Sequence, residues 1–503
     1  MTVETGAASA RARTSLNVIA NYAAKLWSIT SVYLFVPMYI HLLGVEAYGL
    51  IAFYAMALAI LFVADAGISS TFAREAAHES DKAKLLDLLS SFERVLFCVL
   101  GAVAVAILLG ADFIAADWLN TSGKLQPGTE VTSIRLMALA IVPQIAMALY
   151  LGGLMGLQKQ VAANAVTVLF SIVRAAVVLL PLLMFKDVRV YFVWQVAASW
   201  FFLLLARHFL RKQLNAASWR SGRFSLPLLK PLLGYAAGMF AMALIAGINT
   251  QIDRLVVSKL LPIQAFTFYS LAAMMAQAPS IIVTPIASAI SPQLVALTNQ
   301  ANRKALQSLY EKFSFAVAAL GSSAAFGLYF FGDALIQLWL NGQHFPAETS
   351  VTIKLLAVGS LFLALQLGPY YLSLAHGYTK TNVRLGLTML FLVVPAQIYF
   401  TGHFGMIGAA VPWLVVNLIA FLYLGFDLNG RFNRGFTGRW FALCAAIPVA
   451  ISGMSFFLAS VAVKTIGVSA IAEVLVAAVC GVASLVASAG VWKAGNSKAY
   501  LSV

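Results

Sequence analysis

Continuous apolar runs, separated by short polar connections, follow one another along the whole chain. Representative runs are 50–63, 97–109 and 472–486. A transmembrane helix needs about 20 largely apolar residues, whereas a transmembrane strand alternates apolar and polar positions. These runs do not alternate, so the pattern predicts helices. We place fourteen spans at residues 14–40, 49–72, 89–109, 132–156, 162–184, 190–209, 229–252, 263–290, 310–332, 351–375, 383–401, 405–426, 440–460 and 466–491.

The composition requires lipid as the solvent for most of the chain. Of its 503 residues, 61% are hydrophobic and only 10% are charged, against roughly 25% charged in a typical soluble domain. The net charge of +15 does not indicate nucleic-acid binding, because the basic residues lie mostly between the apolar runs. The three cysteines all lie inside apolar runs without metal-ligand spacing. We therefore predict a polytopic, all-α membrane protein without a protein-bound metal.

The distribution of Lys and Arg predicts the orientation in the membrane. With the N-terminus inside, 23 of the 33 basic residues fall in inner connections or at the inner ends of spans, 6 lie on the outer side and 4 lie deeper within spans. Positive residues are retained on the cytoplasmic side. We expect both termini in the cytoplasm.

An internal repeat with an offset of about 220 residues divides the chain into two halves. Each copy holds six spans, an even number, so both cross the membrane in the same direction. Two such lobes suit alternating access, in which a central site opens to one side and then to the other. The matched segments are 42–47 and 260–265, 93–97 and 311–315, 112–120 and 333–341, 133–136 and 352–355, and 156–159 and 377–380.

The repeat and the span positions give a predicted domain organisation. Two pseudo-symmetric six-helix lobes are followed by two helices outside the repeat. The segments are a cytoplasmic N-terminus at 1–13, an N-lobe at 14–209, a basic cytoplasmic linker at 210–228, a C-lobe at 229–426, a cytoplasmic loop at 427–439, helices 13 and 14 at 440–491, and a cytoplasmic tail at 492–503.

Charged residues deep in the membrane are the candidate binding residues, because a charge there costs about 2.5–3.5 kcal/mol on insertion scales. Lys25 shares one helical stripe with Asn17 and Asn21 in the first span. Arg174 lies near the middle of the fifth span, and its planar guanidinium suits phosphate oxygens. The stripe is interpreted as the wall of a cationic, water-filled cavity. The alternatives are a structural Lys25 paired with a carboxylate, and an Arg174 that links helices, with Asp65 as a candidate partner.

Two acidic residues complete the candidate site. Asp65, in the second span, is a candidate counter-ion for Lys25 or Arg174, and a role in local helix packing is the alternative. Asp253, with Asn249 one turn earlier, could bind Na⁺ or a proton and couple transport to a gradient. The alternative for Asp253 is an interfacial pair with Arg254. We expect no catalytic residues and no cofactor beyond such a coupling ion.

Several segments resemble the Wzx-type polysaccharide flippases. They are Asn17, Ala20, Asn21 and Tyr22; residues 35–40 (Phe-Val-Pro-Met-Tyr-Ile); 43–50 (Leu-Gly-Val-Glu-Ala-Tyr-Gly-Leu); 65–71 (Asp-Ala-Gly-Ile-Ser-Ser-Thr) with Arg74 and Glu75; and 249–255 (Asn-Thr-Gln-Ile-Asp-Arg-Leu). The resemblance covers roughly residues 14–425. That family belongs to the multidrug/oligosaccharidyl-lipid/polysaccharide (MOP) exporter superfamily, together with MurJ and the MATE exporters.

The resemblance implies a MATE- or MurJ-like bundle and a function. The implied activity is a flippase for undecaprenyl-diphosphate-linked oligosaccharide, moved from the cytoplasmic to the outer leaflet for O-antigen, capsule or exopolysaccharide biosynthesis. In the MurJ-like branch an acid on helix seven binds Na⁺, and Asp253 lies in similar sequence. A monomer is expected, with membrane lipids and other polysaccharide-assembly membrane proteins as partners, and the resemblance implies a bacterial inner-membrane location.

Three other functions fit parts of the pattern. A MurJ-like lipid II flippase shares the mechanism. A MATE-like drug antiporter would favour an acidic cavity and twelve spans. A membrane polysaccharide polymerase would need catalytic carboxylates on a sizeable outer loop, and the outer loops at 110–131 and 333–350 carry no clustered acids.

Overall fold

A computed structural model describes residues 27, 30, 31, 33–65, 67–121, 123, 125–218 and 221–500. The described chain is almost entirely helical and has no β-strand, as predicted. The helices are α1 Tyr33–Leu43, α2 Val45–Leu61, α3 Ile68–His78, α4 Lys82–Leu109, α5 Thr129–Gly156, α6 Gln160–Phe185, α7 Val188–Gln213, α8 Leu233–Leu260, α9 Ile263–Met275, α10 Ala278–Asn299, α11 Arg303–Trp339, α12 Ala347–Leu365, α13 Leu367–Ala375, α14 Lys380–Phe432, α15 Thr437–Ile466 and α16 Ala470–Tyr500.

Within these described ranges, 11 helical segments are long and apolar enough to cross a membrane. The predicted second span is interrupted between α2 and α3, where a 3-10 turn at Phe62–Ala64 precedes Asp65. The element α14 consists of two helical segments that meet at Gly405, whose φ of 60° suits glycine, and this break lies at the predicted boundary between the spans at 383–401 and 405–426. Exposed apolar side chains such as Met184 and Phe391 cover the helix surfaces, as contact with lipid requires. The protein is a multi-pass membrane protein, and the count of fourteen spans stays a prediction.

The chain forms two compact units. The first comprises residues 1–251 and 262–264, and the second 252–261 and 265–503. The change from one unit to the other falls inside α8.

Small residues bring the helices of the first unit into close contact. Gly152 and Gly156 of α5 lie one turn apart and face the backbone of α3. A Cβ on Gly152 would lie 3.2 Å from the Ser69 carbonyl oxygen, and one on Gly156 would press on the Ala73 carbonyl. Glycines spaced by four residues allow this approach in membranes, where packing rather than the hydrophobic effect drives helix association.

The predicted basic linker is anchored to the N-terminal half of α4. Glu93 accepts from Arg207 Nε at 2.8 Å and from Arg211 at 3.2 Å, and Tyr150 donates to it at 3.0 Å. Arg211 donates further to the Ser221 carbonyl at 2.9 Å. Glu93 is therefore a buried carboxylate with three donors, which offsets its desolvation.

The same linker makes two more bonds with α4. The Arg223 backbone N–H donates to Asp87 at 2.6 Å, and the Ser225 N–H donates to Ser91 at 2.9 Å. Gly222, at φ 96°, lies so close to α4 that a Cβ would meet the Ser90 hydroxyl. Residues 221–225 are thus a docked part of the first unit.

In the second unit, α11 is surrounded by other helices. Ser322 of α11 donates to Ser452 of α15 at 2.9 Å, and Phe331 meets Phe456 with ring centroids 6.3 Å apart. Ser323 approaches the Gly481 carbonyl of α16 at 3.5 Å. The two helices predicted to lie outside the repeat therefore pack against a helix of the second copy.

Matched contacts support the internal repeat. Arg135 pairs with Asp112 at 3.0 Å in the first copy, and Lys354 pairs with Asp333 at 3.5 Å in the second. Buried amides repeat in the same way: Gln144 donates to Ser199 at 2.9 Å, and Gln366 donates to Asn417 at 3.2 Å. In each case both partners occupy positions related by the offset of about 220 residues.

We expect Gly156→Val to destabilise the first unit by about 1–3 kcal/mol, because the added carbons would collide with the backbone of α3. The measurement is the melting temperature of the purified protein in detergent. Gly101→Val on α4 is the control, since a Cβ there meets nothing within 4 Å. Equal melting temperatures of the two variants would contradict the close packing.

Candidate functional site in the first unit

A π-helical turn at Val173–Val177 interrupts α6 in the middle of the predicted fifth span. Such a turn disturbs the regular backbone ladder, and carbonyls released in a membrane need other donors. Side chains from α1 and α7 supply them: Trp194 Nε1 donates to the Val173 carbonyl at 2.9 Å, Gln195 Nε2 to the Arg174 carbonyl at 3.1 Å, and the Tyr39 hydroxyl to the Ala175 carbonyl at 2.5 Å. The irregular turn is therefore fixed by three specific contacts.

Arg174 lies on this turn and is partly buried. Its NH1 donates to Gln144 Oε1 at 3.1 Å, and its guanidinium carbon lies 5.5 Å from the centroid of the Phe170 ring. No Asp or Glu of the described chain forms an ion pair with it. The predicted membrane cation is thus held by an amide and an aromatic ring, both of them neutral.

Gln144 of α5 connects Arg174 to two other helices. Its amide nitrogen donates to the Tyr54 hydroxyl of α2 and, at 2.9 Å, to the Ser199 hydroxyl of α7. These contacts direct the amide oxygen towards Arg174. Because all of the partners are buried or partly buried, the network fixes the guanidinium without neutralising its charge.

This arrangement leaves Arg174 able to bind an anion. A guanidinium has five N–H donors, and one of them is used by Gln144. A phosphate could accept two in parallel, which is the strongest geometry available to arginine. The same site suits a cationic drug poorly, because the charge has the wrong sign.

Asp65 does not form the predicted pair with Arg174. Its carboxylate accepts from the Ser69 hydroxyl at 2.5 Å, in the first turn of α3, and its side chain is buried. It stabilises the start of that helix, which agrees with the alternative role in local packing. Lys25, Asn17 and Asn21 lie outside the described residues, so the cationic stripe and an Asp65–Lys25 pair stay predictions.

Asp253 belongs to a separate polar cluster in the second unit. It is buried and accepts from the Tyr269 hydroxyl at 2.8 Å. Gln397 donates to the Ala409 carbonyl at 2.9 Å, and the same carbonyl lies 3.4 Å from the Tyr269 hydroxyl. Asp253 forms no ion pair with Arg254 in the described structure, so the interfacial pair considered as its alternative is not the arrangement found. Asn249 is partly buried one turn earlier on α8.

Sequence reasoning did not identify the amides that hold these groups. Gln144, Gln195 and Gln397 are each at most 6% exposed, and each makes a contact that positions a charge or an irregular carbonyl. A glutamine inside a long apolar run was the available signal, since an unpaired amide in lipid is costly.

Comparison with known proteins places the chain in a family context. A family model described as "Polysaccharide biosynthesis protein" matches residues 16–298, more than half of the chain. A curated protein of Shigella flexneri, named "Putative O-antigen transporter", is 22% identical over 396 residues, which cover 74% of this chain and 87% of that protein.

Two solved structures share the fold at low identity. The lipid II flippase MurJ, in an inward closed conformation, is 14% identical with a TM-score of 0.70, and the match covers 95% of this chain and 98% of that one. An inward-facing multidrug resistance MATE family transporter of the MOP superfamily is 13% identical with a TM-score of 0.66, covering 80% and 95%. The predicted MATE- and MurJ-like helical fold is confirmed.

We expect Gln144→Leu to destabilise the first unit by about 1–3 kcal/mol, because two hydroxyls and a guanidinium lose a buried partner at once. The readout is again the melting temperature in detergent. Gln300→Leu, in an exposed turn after α10, is the control. A Gln144→Leu protein that melts like the control would show that the amide adds no net stability.

Proposed function

The chain belongs to the polysaccharide biosynthesis protein family, and on this premise we propose that it is a flippase for undecaprenyl-diphosphate-linked oligosaccharide. In this proposal it moves the lipid-linked glycan from the cytoplasmic to the outer leaflet for surface polysaccharide biosynthesis. It is a transporter and not an enzyme. The likeness to an O-antigen transporter and to the MurJ fold supports the proposal.

One observation carries the choice of an anionic lipid-linked substrate: the unneutralised guanidinium of Arg174 in a membrane helix. A charge that is partly buried in a membrane helix and lacks a partner of opposite sign is unfavourable, and the described chain supplies only Gln144 and Phe170. A diphosphate would provide the missing negative charge together with oxygens in the right geometry. We include Lys25 as a second cation for the same group, with Asn17 and Asn21 on its stripe.

The rest of the substrate explains why a protein is needed. A glycan cannot cross hydrocarbon unaided, because its hydroxyls would lose their hydrogen bonds to water. A polar path replaces that water, while the polyprenyl tail stays in lipid. Transporters built from parallel repeats alternate access by moving one repeat against the other, and the matched contacts of the two copies fit that design.

We further propose that Asp253 takes the coupling ion, Na⁺ or H⁺. Its carboxylate, the Tyr269 hydroxyl, the Ala409 carbonyl and the Thr401 hydroxyl are oxygen groups of one buried cluster. Oxygen ligands suit hard cations, and a buried carboxylate is also a natural proton acceptor. Occupation of Asp253 would neutralise a charge that otherwise resists burial, and this would favour one conformation over the other.

Orientation and location complete the proposal. Both termini are cytoplasmic, as the distribution of basic residues predicts, and the membrane is the bacterial inner membrane, which the likeness to an O-antigen transporter of Shigella flexneri supports. The functional form is a monomer, since one chain carries both repeats, and it works beside other polysaccharide-assembly membrane proteins.

The test of the flippase proposal is a gene deletion followed by mass spectrometry of cellular lipids. We expect one undecaprenyl-diphosphate-linked glycan to accumulate and its surface polymer to be lost. Wild type should restore export; Arg174→Gln should reduce it at least tenfold, because the diphosphate loses its bidentate partner. Arg135→Gln, which breaks only an exposed ion pair, is the charge-matched control.

The alternatives predict other lipid profiles. Accumulated lipid II would indicate a lipid II flippase, and a repeat unit already on the outer face would indicate a polymerase. Unchanged lipid-linked sugars would refute the proposal and favour a drug exporter. Full export by Arg174→Gln, with normal membrane levels, would refute the anion site alone.

For the coupling site we expect Asp253→Asn to stop net transport while leaving substrate binding intact. Asparagine has the shape of aspartate but lacks the negative charge that would bind the coupling ion. Uptake of fluorescent lipid-linked glycan into proteoliposomes, with a Na⁺ or a pH gradient, measures transport; binding to detergent-solubilised protein is measured separately. Asp333→Asn, an exposed acid, is the control. Gradient-driven transport by Asp253→Asn at the control rate would exclude Asp253 as the coupling residue.

A further inference from the structure

A cavity of about 610 Å³ lies within the second unit, and its lining residues all follow Asp253 in the sequence. The distribution of basic residues assigns these lining residues to the cytoplasmic side. Residues from α11, α13 and the end of α14 line it. The polar ones include Arg303, Gln307, Tyr310, His376, Arg431 and Arg434. No acidic residue is among the lining groups. The cavity is therefore large enough for a small polar ligand and carries an excess of positive charge.

Two of the three arginines are not neutralised. Arg431 Nε donates to Asp427 at 2.8 Å, so its charge is compensated. Arg303 and Arg434 form no ion pair within the described chain. Both side chains line the cavity and are exposed, so their N–H donors are available to a ligand.

The helix start adds to the positive field. Arg303 is the first residue of the 37-residue helix α11, and the Asn302 side chain caps it by accepting from the Ala305 N–H at 3.2 Å. The N-terminus of a helix carries about half a positive charge and attracts anions. A second group points the same way: the buried side-chain nitrogen of Asn433, a lining residue, has no hydrogen-bond partner.

The lining is also rigid. The His376 ring stacks on Phe432 with centroids 4.2 Å apart, and its Nδ1 lies 2.9 Å from the Leu372 carbonyl oxygen. A carbonyl only accepts, so Nδ1 carries the proton and Nε2 is left for other contacts. Tyr310 is fixed by donating to Asn429 at 2.9 Å. A preformed wall reduces the entropy lost when a ligand binds.

The first repeat shows what occupies the corresponding place there. The offset of about 220 residues makes Arg211 the counterpart of Arg431 and α4 the counterpart of the start of α11. In the first unit Arg211 donates to the docked linker at Ser221, and Gly222 lies against α4. In the second unit a short turn at Asn433–Phe436 leads directly into α15, and the cavity remains.

From these observations we propose that the cavity of the second unit binds a phosphate group, carried by the headgroup of an anionic phospholipid or by a soluble phosphate compound. Arg303 and Arg434 supply the charge, and Asn433 supplies a neutral donor. Basic pockets among membrane helices on the cytoplasmic side are suited to phospholipid headgroups, and the apolar neighbours Leu306, Leu372 and Phe432 offer a surface for the carbon chain next to the phosphate. This site does not depend on the proposed transport of a lipid-linked glycan.

The test compares purified wild type with Arg303→Gln/Arg434→Gln. Both changed side chains are exposed, so the fold should persist. The control is Lys304→Gln/Arg384→Gln, which removes the same two charges from exposed residues that do not line the cavity. Binding is followed by native mass spectrometry and by the rise in melting temperature that a ligand of the folded state produces. The probes are short-chain phosphatidylglycerol, short-chain phosphatidylcholine, glycerol phosphate and inorganic phosphate.

We expect phosphatidylglycerol to bind wild type and the control equally, and the cavity variant at least tenfold more weakly. Binding of phosphatidylglycerol without glycerol phosphate or inorganic phosphate identifies a lipid site; binding of all three identifies a site for soluble phosphate compounds. Equal binding by the cavity variant and wild type, or equal loss in the control, would overturn the proposal. If the double variant melts early without ligand, Arg303→Gln alone takes its place against Lys304→Gln, with the same criterion.

Discussion

The requirement that every backbone polar group find a partner away from water determines this structure. A regular helix meets it internally, and for this reason long apolar segments become helices in a membrane. Where α6 departs from regularity at Val173–Val177, the requirement passes to side chains: Trp194, Gln195 and Tyr39 each donate to one of three successive carbonyls. The irregular turn thus ties three helices together, and it fixes the position of Arg174.

The same requirement separates the two kinds of charge in the molecule. Glu93 accepts from two arginines and a tyrosine and anchors the linker, so its charge is compensated within the structure. Arg174 is held by an amide and a ring, and no carboxylate of the described residues neutralises its charge. This is the charge that the anionic group of the proposed substrate would neutralise. Both groups appear in the sequence as charges near apolar runs, and only their partners distinguish them.

Local pattern was sufficient for the class of fold and for the repeat, because apolar length and the order of matched segments are properties of the chain itself. Arg174 and Asp253 could be selected for the same reason: a charge in an apolar run stands out. The hydrogen-bond partners of these residues could not be predicted from the sequence. Asp65 accepts from Ser69 four residues later rather than from Arg174, and Gln144 meets Tyr54 ninety positions away. Such contacts follow from how helices rotate and pack, which a single sequence does not encode locally. The break at Gly405, by contrast, lies where the sequence pattern separates two spans.

The docked linker has a consequence for how the protein is made. The groups of α4 that hold residues 221–225, namely Asp87, Ser90 and Ser91, are synthesised earlier than the linker itself. Glu93 and Arg211 also precede residues 221–225 in the chain. Since domains fold as they emerge from the ribosome, this anchor can close before α9 to α16 have been translated. The first repeat can then pack before the second has been synthesised, and the remaining helices enter the membrane after the first repeat has folded.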